Sequence, residues 1–228
     1  MIRENIQRVQ ENITAVCNTI GIDPQHITLV GVTKYAETAH IQEALDAGLK
    51  DIAENKVQEA QRKFPELKLS EGCCRHMIGH LQSNKVKQAL AHFDLIQSVD
   101  SLKLAAEIDK QSAKLDQTTP ILIQVNTSGE EQKYGIAPEN VEELLENIIK
   151  MPHVHVQGLM TMAPFTEEES IIRDCFRGLK NIFEDIKMNF MNAPNISMQH
   201  LSMGMSGDYT IALEEGSNMV RIGSAIFR

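Results

Sequence analysis

The chain has no tryptophan, and aromatic residues make up only 4% of its 228 positions. It lacks any apolar run near the roughly 20 residues that span a bilayer. Its opening, Met1-Ile2-Arg3-Glu4-Asn5, is too polar and too acidic for a secretory leader. No contact with a membrane is therefore expected. Positive charge is scarce: 22 Lys and Arg stand against 31 Asp and Glu, a formal net charge of −9. That balance excludes broad nucleic-acid binding, which needs a basic footprint, and Lys85 and Lys87 read as a solvated helix face. Cysteines number four, with Cys73 and Cys74 adjacent. They form neither a disulfide framework nor a Cys-x-x-Cys zinc spacing, so a reduced, cytoplasmic setting is expected. No Gly-x-Gly-x-x-Gly follows any apolar run, which removes the usual dinucleotide-binding reading.

What the chain does have is a regular alternation of short β-branched runs and amphipathic stretches. Ile2, Ile6, Val9, Ile13, Val16 and Ile20 recur at spacings of four and three, an amphipathic helix over 1–21 that Gly21 caps and Pro24 ends. Eight strands follow: Ile27–Lys34, Asp51–Ala53, His76–Ile78, Phe93–Val99, Pro120–Asn126, His153–Met162, Ile196–Met203 and Met219–Ile222. Helical patterns separate them. Ser83 or Asn84 is placed to cap the helix through Val86, Asp100 or Ser101 the one through Leu102, and Pro138 opens another. Thr166 starts a long helix through Ile186, and Gly207 to Glu215 forms a short one. Alternation without hairpin signals implies parallel strands joined by crossover helices. Eight such units predict one (β/α)₈ barrel over residues 1–228, with the first helix packed outside it; a doubly wound open sheet is the runner-up.

In such a barrel the carboxyl ends of the strands meet on one face. That face would collect Lys34, Asn55, His80, Asn126, Met160, the Ser202–Ser206 loop and Gly223-Ser224. The loops after the seventh and eighth strands are where these barrels bind phosphate. Here they offer Ser202, Ser206, Gly223 and Ser224. A phosphate pocket opposite a strand-end lysine fits a phosphorylated aldehyde held by a Schiff base, namely pyridoxal phosphate (PLP). Arg221 would face the pyridine nitrogen; its cationic guanidinium cannot accept a proton from that ring, so the nitrogen would stay unprotonated and the cofactor would be a poorer electron sink. Other constellations are weaker. His76 and His80 lie about 13 Å apart on an extended strand, too far for one metal, and Cys73 and Cys74 have no evident base partner. His153 and His155 share a strand face without a clustered carboxylate.

Seven segments carry a family resemblance: LVGVTK (29–34), AENKVQEA (53–60), HMIGHLQSNK (76–85), QVNTSGEEQKYGI (124–136), GLMTMAP (158–164), HLSMGMSGDY (200–209) and GSNMVRIGSAIF (216–227). In this set and order the chain resembles the PLP homeostasis proteins, whose barrel is of the alanine-racemase N-terminal type (PLP fold type III). The resemblance implies PLP as a Schiff base on Lys34, phosphate on Ser202, Ser206, Gly223 and Ser224, Arg221 near the ring nitrogen, and Asn55 beside the cofactor. It implies a monomer or weak dimer that regulates vitamin B6 supply and amino-acid balance. PLP-dependent apo-enzymes are candidate partners. Three positions depart from the family pattern. Ala53 replaces a glycine and Arg75 an aromatic, which would alter packing beside the ring; Gly207 gives Ser-Gly-Asp for Ser-Asp-Asp, which would weaken helix capping.

Two function classes remain. The first holds the cofactor without turnover; the second is a PLP-dependent amino-acid racemase. The racemases resembled here take their second base, a tyrosine, from a C-terminal β domain of the partner subunit. This chain ends after its eighth strand, so no such domain is expected, and Tyr35 and Tyr209 are the candidate substitutes. The non-enzymatic reading is preferred. Lys133, in the loop after the fifth strand, is a candidate second amine for cofactor transfer.

Overall fold

The structure is a computed structural model describing residues 1–130 and 134–228. Among these, eight parallel strands close into a barrel in sequence order, β8 pairing back onto β1. They are β1 (Thr28–Val32), β2 (Asp51–Glu54), β3 (Cys74–Met77), β4 (Leu95–Val99), β5 (Thr119–Gln124), β6 (Val154–Met160), β7 (Ile196–Ser202) and β8 (Met219–Ile222). Each end lies within two residues of its predicted place.

Strand period dictates the layering, since alternate residues face opposite sides. Gly31, Ile52, Ile96, Ile121 and Ile123 turn outward to the helices, while Val30, Ala53, Leu95, Leu122, Met160 and Met219 pack inside the barrel. The outer layer holds α1 (Ile2–Ile20), α2 (Thr38–Asp46), α3 (Val57–Lys63), α4 (Val86–Ala89), α5 (Leu102–Lys114), α6 (Val141–Ile148), α7 (Glu169–Asn189), α8 (Tyr209–Glu214) and α9 (Ser224–Phe227). Helix α1 lays its predicted stripe against α2, α8 and α9. Gly21, at φ 74°, caps it, returning its N–H to the carbonyl of Cys17. Asn5, buried on that stripe, donates to the carbonyl of Ile226 at 2.9 Å, pinning α1 to the last turn.

Of the two candidate caps for α5, Ser101 is the one used, accepting from the amide of Leu104. Two local expectations change. Neither Ser83 nor Asn84 caps α4: both lie in a 3₁₀ turn, Ser83–Lys85, that feeds it. The long helix begins at Glu169 rather than Thr166, whose hydroxyl accepts from the amide of Glu168 and keeps that segment in a turn. One element went unseen, the four-residue α9 directly after β8.

Candidate functional site

The carboxyl ends of the strands open into a cavity of about 1160 Å³. Lys34, Asn55, Ser206, Arg221, Gly223 and Ser224 all line it, joined by His80, Gln124 and Tyr134. Six of the seven expected cofactor residues thus converge from β1, β2, β7 and β8. Lys34 is exposed at the rim, its Nζ 5.2 Å from the ring centroid of Tyr35.

A buried ion pair fixes the stem beneath Lys34. Lys63 Nζ donates to Glu54 Oε1 at 2.8 Å and to the carbonyl of Thr33 at 2.8 Å. Thr33 Oγ1 donates to the same Glu54 oxygen at 2.7 Å. Lys63 is 1% and Glu54 0% exposed, and Glu54 Oε2 finds no hydrogen-bond partner among the described residues. Because Lys34 follows Thr33 and Asn55 follows Glu54, one clamp from α3 sets both residues at the rim. Nothing in the linear pattern marks it. Glu54 shares the outward face with Ile52, a position where a strand facing helices would be apolar.

The phosphate-type loops are tight. Gly204 has φ 98°, and a Cβ there would sit 2.6 Å from that of Ala212. Gly79, on the loop after β3, is closer still: a Cβ there would fall 2.1 Å from the carbonyl oxygen of Asn55, so the loops after β2 and β3 meet backbone to backbone. Ser206 Oγ accepts from the amides of Gly223 at 3.2 Å and Ala225 at 3.4 Å, occupying donors that suit a small anion. Asp208 accepts from the amide of Met205, and burial pushes its carboxyl above the ordinary range.

Ser202 does not reach the cavity, against expectation. It is fully buried, and its hydroxyl accepts from Arg221 Nη1 at 2.7 Å while donating to Gln97 Oε1 at 2.7 Å. Side-chain alternation explains this: Ser202, still within β7, points into the barrel rather than up from it. Arg221 Nη2 also donates to the carbonyl of Thr161 at 2.7 Å. The guanidinium is thus held on two sides. Burial lowers its pKa to about 10, with Asp208 partly opposing, so it stays cationic at neutral pH. Below Ser202 the chain of polar groups continues. Gln97 Nε2 lies 2.8 Å from His76 Nδ1, and His76 Nε2 lies 2.9 Å from Asp51 Oδ1. Each buried side-chain polar atom along this Arg221–Ser202–Gln97–His76 chain is paired, as an apolar barrel interior requires.

Several other expectations are redirected. Asn126 organises its own loop, accepting from the hydroxyl of Ser128, and Met160 is core. Tyr209 OH accepts from Asn12 on α1, away from the cavity. Tyr134 lines the cavity instead, its ring stacked on His80 with centroids 4.3 Å apart. Arg75 faces outward and pairs with Asp94 at 2.7 Å, so it does not border a ring site. Burial, then Asp51 and Asp94, raise the Cys74 thiol to about 12, which leaves no thiolate nucleophile at neutral pH. Lys133 lies outside the described residues.

A model of the alanine racemase N-terminal domain matches residues 4–228. The chain belongs to that family. Within it, the pyridoxal phosphate homeostasis protein of Aquifex aeolicus (strain VF5) is 39% identical over 224 residues, spanning 98% of this chain and 96% of that one. PipY of Synechococcus elongatus PCC7942, solved with PLP bound, matches with a TM-score of 0.87 and 30% identity over 100% of both chains. An alanine racemase of Clostridium difficile 630 shares the fold alone, at a TM-score of 0.74 and 17% identity. This member of the alanine racemase N-terminal domain family spans 99% of itself but 56% of that racemase. In this family member the described residues contain no helix long and apolar enough to cross a membrane.

Proposed function

We propose that this chain holds pyridoxal phosphate at the barrel mouth and serves PLP homeostasis. The observation that carries the reading is the convergence of Lys34, Arg221 and the Ser206–Gly223 amide cluster on one cavity. Bound there, the cofactor would supply a carbonyl that condenses with an amine and a conjugated ring that accepts electrons. The residues present fit that group. Lys34 offers the amine for a Schiff base, and Asn55 stands beside it. Ser206 and Ser224 offer hydroxyls to a phosphate, and Gly223 would offer its amide once Ser206 Oγ gives it up. Ser202, placed by its hydroxyl on Arg221, steadies the guanidinium rather than the phosphate. Arg221 can only donate hydrogen bonds, so a ring nitrogen placed against it would stay unprotonated, which would weaken the electron sink.

The holder-and-carrier reading is favoured because Tyr209, one of the two candidate second bases, is committed to α1, and a weak sink would not favour turnover. Apo-enzymes that use PLP would be its clients, in the cytoplasm, with the chain acting as a monomer or weak dimer. The racemase reading rests on Tyr35 and Tyr134 at the cavity wall. Absorption of the PLP-loaded protein at about 420 nm, lost in Lys34→Ala, tests the binding reading. Exchange of the α-proton of alanine or serine in deuterated water tests turnover. A null there removes the racemase, and sustained exchange removes the carrier.

A further inference from the structure

The far end of the barrel holds a second set of reactive groups. Asp51 opens β2 and Cys74 opens β3, directly paired across the two strands, and His76 stands two residues further along β3. All three project into the barrel at the amino ends of the strands, away from Lys34. One Asp51 carboxylate oxygen, the Cys74 sulfur and a ring nitrogen of His76 lie within 4.8 Å of one another, and Asp51 Oδ1 to His76 Nε2 is 2.9 Å. A tetrahedral ion with one oxygen, one nitrogen and one sulfur ligand needs donor separations of about 3.3–3.6 Å, given metal–ligand lengths near 2.0–2.3 Å. Closing that difference would need the Asp51–His76 pair to open slightly and the Cys74 sulfur to draw in. His76 is buried, and its Nδ1 lies 2.8 Å from Gln97 Nε2, an amide that would supply the carbonyl support of a ligating histidine only after turning over. Asp51 and Cys74 are only half-buried, which leaves an approach from solvent and room for water as the fourth ligand.

We infer that Asp51, Cys74 and His76 form a binding site for a thiophilic divalent cation of the zinc class. An S, N, O donor set disfavours magnesium and calcium, which take oxygen ligands. On binding, the Cys74 sulfur loses its proton to solvent as the metal–sulfur bond forms. His76 passes from the Nε2-protonated to the Nδ1-protonated tautomer, so Gln97 must turn its carbonyl oxygen to that nitrogen. The linear spacing hid this site because its ligands come from two strands.

The test uses the full chain, stripped with chelator and titrated with Co²⁺ alone. The expected result is a thiolate-to-cobalt charge-transfer band saturating at one equivalent and erased by Zn²⁺. Cys74→Ser should abolish the band and Cys73→Ser should keep it. Asp51→Asn, which retains the hydrogen bond to His76, should weaken Co²⁺ binding at least about tenfold and guards against a folding defect in the cysteine variant. No thiolate band, a band that survives Cys74→Ser, or affinity unchanged in Asp51→Asn would overturn the site.

Discussion

Replacing Lys63 by Met is the sharpest perturbation of the rim. Met matches the lysine stem in length but removes the cation, leaving Glu54 buried at 0% exposure with Thr33 as its remaining donor among the described residues. Removing one partner of a buried pair costs about 3–5 kcal/mol, because the other charge stays desolvated. For a chain of this length each kcal/mol moves the melting midpoint by roughly 2–4 °C, so the expected fall is about 6–20 °C. The double variant Glu54→Leu/Lys63→Met removes both charges and should return to within about 1 kcal/mol of the parent, since buried pairs are replaceable by apolar residues. Thr33 keeps the carbonyl of Ala53 as acceptor in that background. Thermal melts and urea titrations of the parent and both variants provide the numbers. A single variant losing less than about 1 kcal/mol, or a double variant less stable than the single, refutes the clamp.

Gln97→Leu fills the same volume but strands the Ser202 hydroxyl and His76 Nδ1. It should lower stability by about 1–3 kcal/mol in urea and shift the absorption of the loaded protein through Arg221. Gly79→Ala forces a Cβ against the backbone of Asn55. It should cost about 1–3 kcal/mol and weaken PLP retention, read by equilibrium dialysis. Burial alone would raise the Asp94 carboxyl, but the hydrogen bonds and charge of Arg75 outweigh it, so its pKa lies below the usual value. Ionised Asp94 then favours the folded state above its unfolded value of about 3.9, and that contribution vanishes as pH falls through the lower folded one. Asp94→Asn should flatten the acid limb of melting temperature against pH; an unchanged limb removes the pair from the account.

The barrel was legible because its signals are local and repeated: β-branched runs of strand length, 3.6-period stripes, and Gly or Pro between them. Strand ends were less so, because pairing partners decide where a ladder stops. At the rim, Lys34 and the loops after β7 and β8 could be placed from strand order alone. Ser202 could not, since one residue of phase decides whether a side chain enters the barrel or the mouth. The Glu54–Lys63 clamp and the file from Arg221 to Asp51 were hidden for a different reason. Their members are scattered over many positions, and a buried charge looks like a solvated one until the fold brings its partner.

The claim at the centre is a covalent link at one amine. Borohydride reduction of the PLP-loaded protein, followed by peptide mass mapping, reads it directly. A pyridoxyl adduct on the peptide carrying Lys34 is the predicted result. An adduct on Lys133 or any other lysine with Lys34 unmodified, or no adduct at all, would contradict the account.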